Sequence, residues 1–134
     1  MDGLKELLMI LLVVGYSCRS RNTGRLTREE LMKKGASLYT THGCNVCRSL
    51  DGSIVYGPPL NKIHMKDLTV LRKGREHKVK AGRKFLMRAI NDPNSKKEIS
   101  YRNKQVPHTS LPKEEAELLV DYLILPETGK TYNK

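Results

Sequence analysis

The chain has no tryptophan, one phenylalanine and only three cysteines in 134 residues. Without large aromatics, a core has to be built from Leu, Val, Ile and Met with a few of the six tyrosines. At this length, and at 38% apolar content, one modest core can be buried and a second domain is not expected. Acidic residues are also scarce: 14 Asp and Glu stand against 25 Lys and Arg, a formal charge of +11. Such an excess suits an acidic protein surface or anionic lipid headgroups as partner, or it is a solvated basic face. Nucleic acid is not expected, because no binding motif is recognisable and no aromatic and basic residues interleave to stack bases. No nucleophile, general base and orienting acid stand in a recognisable arrangement either, so the chain does not read as an enzyme. Internal repeats and low-complexity tracts are absent.

A membrane-spanning run is missing as well. The apolar stretch at residues 7–14 is too short to cross a bilayer but suits the central region of a secretory signal. Gly15, Tyr16, Ser17 and Cys18 follow it and resemble the lipobox of bacterial lipoproteins, in which the cysteine is lipidated and becomes the first mature residue. The resemblance implies a signal peptide over 1–17, a lipidated Cys18 and a lipid-anchored protein on the periplasmic side of the bacterial cell envelope. A buried N-terminal helix and an uncleaved membrane anchor are the other readings of the same run. Lipidation of Cys18 would leave Cys44 and Cys47 as a pair in an oxidising compartment.

Residues 18–26 are polar and basic and read as a tether to a domain over 27–126, with a tail at 127–134. Thr27 and Glu30 form a T-x-x-E capping box, with Leu26 and Leu31 at the positions of a hydrophobic staple. They announce a helix over about 28–41, with Leu31, Leu38 and Tyr39 on one face and Met32 beside them. Gly43, Gly52 and Gly57 with Pro58 and Pro59 make the next stretch mostly turns and loops. Residues 67–80 hold two short β-favouring runs around Lys73 and Gly74, a small hairpin. A second helix is expected over about 82–91, with Phe85, Leu86, Ala89 and Ile90 as its apolar face and Pro93 ending it. The last helix begins near Pro112, carries Glu114, Glu115 and Glu117 where the dipole favours acids, and buries Leu118, Leu119, Tyr122 and Leu123.

Cys44 and Cys47 have C-x-x-C spacing, for which three uses are physically natural: thioether bonds to haem vinyl groups, a redox disulfide, or half of a zinc site. Zinc needs two more ligands, and none of His42, His64, His77 and His108 forms a paired ligand spacing with another. A thioredoxin-like site needs a strand-to-helix junction, whereas this pair follows a helix.

The surroundings of the pair carry a resemblance. "GASLYTTHGCNVCRSLDGSIVYGPPLNKI", a helix ending "AINDP", "SYRNKQVP" and "LPKEEAELLVDYL" resemble class I c-type cytochromes, most of all the cytochrome c domain of bacterial cytochrome c oxidase subunit II. The likeness runs from about residue 30 to 125. It implies a mainly α, cytochrome c-like fold with a small β-hairpin insertion. It also matches Cys44 and Cys47 to the haem thioether cysteines, and Gly57-Pro58 to the step whose proline carbonyl orients the proximal histidine. Tyr101 matches an aromatic position before the distal methionine, and the first and last helices match the pair that cross in the family. Both iron ligands are replaced: Arg48 stands at the proximal histidine and Val106 at the distal methionine. A guanidinium stays protonated and has no lone pair to give iron, and valine has no donor atom. The ordinary His/Met pair cannot form here.

The expectation that follows is an envelope lipoprotein with a degenerate CxxC-Arg site. It would hold no cofactor and act as a binding or accessory module related to respiratory electron transfer. Its partner would be an acidic protein surface, such as a respiratory complex or redox partner, and its contact with the membrane the lipid anchor. Without haem, the two thiols are expected to close as a disulfide. One alternative is a mono-haem electron carrier with covalent haem c and unusual ligation, for which His108 is the candidate distal ligand. The other is a thiol-disulfide redox protein using Cys44 and Cys47.

Overall fold

The computed structural model describes residues 25–107 and 110–125. The capping box forms as the sequence predicts: Thr27 Oγ1 accepts from the Glu30 N–H at 3.2 Å, and the Glu30 carboxylate accepts from the Thr27 N–H at 2.8 Å. Helix α1 runs from there over Arg28–Thr41 and buries Gly35 and Tyr39. Gly43, at φ 69, turns the chain into a single helical turn, α2, over Cys44–Cys47. Strands β1 (Asp67–Arg72) and β2 (Arg75–Lys80) form the expected hairpin. Its turn residues Lys73 and Gly74 both have positive φ, 49° and 75°, as a tight two-residue connection requires. Helix α3 covers Arg83–Asn91, and after it come a two-residue strand β3 (Lys97–Glu98) and a 3-10 turn at Ile99–Tyr101. Helix α4 (Lys113–Ile124) has Pro112 as its N-cap and Glu114 and Glu115 in its first turn.

The expectation of a mainly α fold is corrected. Among the described residues, four α-helices share the domain with a three-stranded antiparallel sheet, in the order β2-β1-β3. The sheet is part of the core, since Leu68 and Val70 of β1 are buried with Tyr39, Leu86, Leu119, Val120, Tyr122 and Leu123. β3 pairs with β1 through Val70↔Glu98 and Leu71↔Lys97. Two charged residues without apolar alternation carry no strand signal of their own, and the pairing comes from the tertiary fold.

Helices α1 and α4 pack against each other. A Cβ on Gly35 would collide with Tyr122 Cβ and its ring, so glycine sets how closely the two backbones approach. The Tyr39 and Tyr122 rings meet beside this contact, tilted by 53° with centroids 6.4 Å apart, a favourable geometry for an aromatic pair. The predicted signal peptide, the tether up to residue 24 with Cys18, and the tail lie outside the described residues.

Candidate functional site

The site is assembled where α1, α2 and the loop at 48–60 meet. Tyr39 is buried on α1, and its hydroxyl donates to the Arg48 carbonyl at 2.7 Å. Burial, with Cys44 close by, pushes the Tyr39 hydroxyl pKa upward. The single turn of α2 sets Cys44 and Cys47 three residues apart, and the Arg48 N–H closes it on the Cys44 carbonyl at 2.9 Å. Both cysteines are half-buried free thiols. The two sulfurs are not joined in this structure, and the turn is closed by its backbone bond. Cys44 packs against the core. Burial raises its thiol pKa, a backbone hydrogen bond opposes this in part, and Cys47 adds to the rise. The sulfur is thereby kept in its neutral, less nucleophilic form.

Arg48 leaves α2 in an extended conformation, φ −133° and ψ 128°. Its Nη1 donates to the Pro58 carbonyl at 3.1 Å. A Cβ on Gly57 would lie 2.8 Å from Arg48 Nε and 3.0 Å from Cδ and Cζ, so the guanidinium end lies directly on the Gly57 backbone. Two backbone bonds hold the opposing segments together, Gly57 N–H to Cys47 O and Leu60 N–H to Ser49 O, both 2.8 Å. Burial pulls the Arg48 pKa down, while Tyr39, Glu98, Cys47 and Tyr101 pull it back up. The short strand β3 thus has a use: it brings the Glu98 carboxylate to the arginine's side of the site.

Val106 is fixed by its backbone. Asn94 Nδ2 donates to Val106 O at 2.9 Å, and the Val106 N–H donates to Asn94 Oδ1 at 3.3 Å. The Val106 loop is also tied to the Gly57-Pro58 loop. The Tyr56 hydroxyl donates to Gln105 O at 3.0 Å, and Lys104 Nζ donates to Tyr56 O at 2.6 Å. Lys104 Nζ stands 4.8 Å from the Tyr56 ring centroid and 5.2 Å from that of Tyr101, both within cation–π range.

The other candidate ligands are dispersed. His42 is paired with Glu115 of α4 at 2.8 Å, His64 and Met65 are exposed, and Met87 packs against the core. His108 lies outside the described residues. Among the described residues, no three His, Cys, Asp or Glu side chains converge on a metal position. A cleft of about 890 Å³ runs between α1 and residues 49–55, lined by Met32, Ala36, Tyr39, Arg48, Leu50 and Val55 among others. Cys44, Cys47, Pro58 and Val106 are not part of it.

A haem iron does not fit these residues. Arg48, which the resemblance sets at the proximal position, is a guanidinium already engaged with Pro58, and Val106, which it sets at the distal position, has no donor atom. No protein-family model matches the chain, and no curated protein does.

Sequence reasoning singled out Cys44, Cys47, Arg48, Pro58 and Val106, and the structure joins the first four in one constellation. It missed the roles of Tyr39, Glu98, Asn94, Tyr56 and Lys104. Tyr39 carried a weak signal as an aromatic on the apolar face of α1. The others act through contacts that no local pattern announces.

Proposed function

We propose that the chain is a haem-free relative of the class I c-type cytochromes, working as a binding or accessory module related to respiratory electron transfer. The observation that carries this reading is the 3.1 Å bond from Arg48 Nη1 to the Pro58 carbonyl. In the family that the sequence resembles, this carbonyl orients the proximal histidine. Here an arginine takes the contact without offering iron a lone pair. The packing of α1 on α4 through Gly35 and Tyr122 supports the same kinship, since the resemblance matches these helices to the family's crossing pair. The neutral, half-buried Cys44 thiol favours a packing role over thiol-disulfide exchange.

The reading includes a lipid anchor on Cys18, a location on the periplasmic side of the bacterial envelope and an acidic protein surface as partner, matched to the +11 charge. Docking of this kind is weakened by salt. It assigns no catalysis. The test restores the family's ligands: Arg48→His with Val106→Met, produced alongside c-haem maturation proteins, gains one covalent haem with a low-spin spectrum. A folded double variant that takes up no haem, while a normal cytochrome matures in the same cells, contradicts the kinship.

A further inference from the structure

Five large apolar side chains stand out as exposed among the described residues: Val46, Ile54, Val55, Tyr56 and Met65. Four of them belong to two adjoining segments, because the Gly57 N–H to Cys47 O bond holds the end of the 54–56 run beside α2. Ile54 is 80% and Val46 71% exposed, far beyond ordinary edge residues of a core. Neighbouring polar groups place a charge of each sign at this patch. Lys104 Nζ lies over the Tyr56 ring, and the Asp51 carboxylate, which accepts from the Ser53 N–H and hydroxyl at 2.9 and 2.6 Å, is held as the anion by those bonds.

We infer that this patch is the face with which the domain meets an anionic bilayer, with Ile54, Val55 and Val46 entering the headgroup region. Tyr56 and Lys104 sit at the boundary, where amphipathic rings and long cationic side chains gain from both phases. Two observations favour a bilayer over other occupants. The chain's +11 charge complements anionic lipid. The same charge opposes the approach of a second copy. The inference deepens the envelope-anchored reading above and rests on it only for what keeps the domain near a membrane.

The absence of tryptophan makes the test clean, since one introduced indole reports from one place. In the full chain, Ile54→Trp and Val46→Trp are mixed with vesicles of phosphatidylglycerol and phosphatidylcholine, with and without brominated acyl chains. Both reporters are expected to shift to the blue and lose emission to the bromines, and to do so far less on phosphatidylcholine alone. A His77→Trp reporter, on exposed β2 outside the patch, is expected to stay unchanged. Reporters at 46 and 54 that remain water-like while the chain pellets with the vesicles overturn the inference and leave the patch to a protein partner. Equal quenching at 77, or no association with anionic vesicles, overturns it too. Failure of the anchor reading is seen separately, as an unlipidated mass for the chain purified from bacterial envelopes.

Discussion

Arg48 is held from three directions: its carbonyl by the Tyr39 hydroxyl, its guanidinium by Pro58 O, and its length against Gly57. Arg48→Ala strips a partly buried carbonyl of its donor, and a loss of about 1–3 kcal/mol is expected in chemical denaturation. Gly57→Ala also destabilises, because the new methyl would meet Arg48 Nε at 2.8 Å. With Arg48→Ala in place that obstacle is gone, so the double variant should lose less than the sum, by about 0.5–3 kcal/mol. Strict additivity would mean that Arg48 does not lie on Gly57. The buried Cys44 thiol and Tyr39 hydroxyl, both held above their ordinary values of 9.0 and 10.0, fix an alkaline limit. Above pH 9.0 the unfolded chain begins to release protons that the native state retains, so stability is full below that pH and falls as pH rises. In Cys44→Ser the onset should move toward 10.0, where Tyr39 remains. An unchanged onset in pH-dependent melting would assign the limit to other groups.

Elements with a local code were legible from sequence. The T-x-x-E box gave the start of α1 at Arg28, and Lys73-Gly74 gave the hairpin turn, because capping and turn geometry depend on a few neighbouring residues. β3 was not legible, since Lys97 and Glu98 become a strand only by lying along β1. The sequence points to a mainly α fold for that reason, and because its hairpin reads as an insertion although Leu68 and Val70 of β1 are core. The closeness of α1 and α4 depends on one residue: Gly35→Ala drives a methyl into Tyr122. The expected cost is about 1–3 kcal/mol or more, read as a lower denaturation midpoint. A neutral Gly35→Ala would mean that the two helices do not approach as described.

At the scale of the whole molecule, the candidate site was partly legible. The Cys44, Cys47, Arg48 and Pro58 constellation lies within fifteen residues of sequence, so spacing alone could frame it. The clasp that joins the two loops was not, because Tyr56 and Gln105 are 49 residues apart and Asn94 and Val106 are 12 apart. Tyr56 and Lys104 tie the Val106 loop to the Pro58 loop, and Asn94 fixes the Val106 backbone. The proposed function requires that this domain keep the cysteine pair and work without haem. The most direct test is an absorption spectrum with intact mass on the chain produced in cells that mature c-type cytochromes. No Soret band is expected, and the mass should show no haem added at Cys44 or Cys47. A Soret band with the mass of one covalent haem would contradict it.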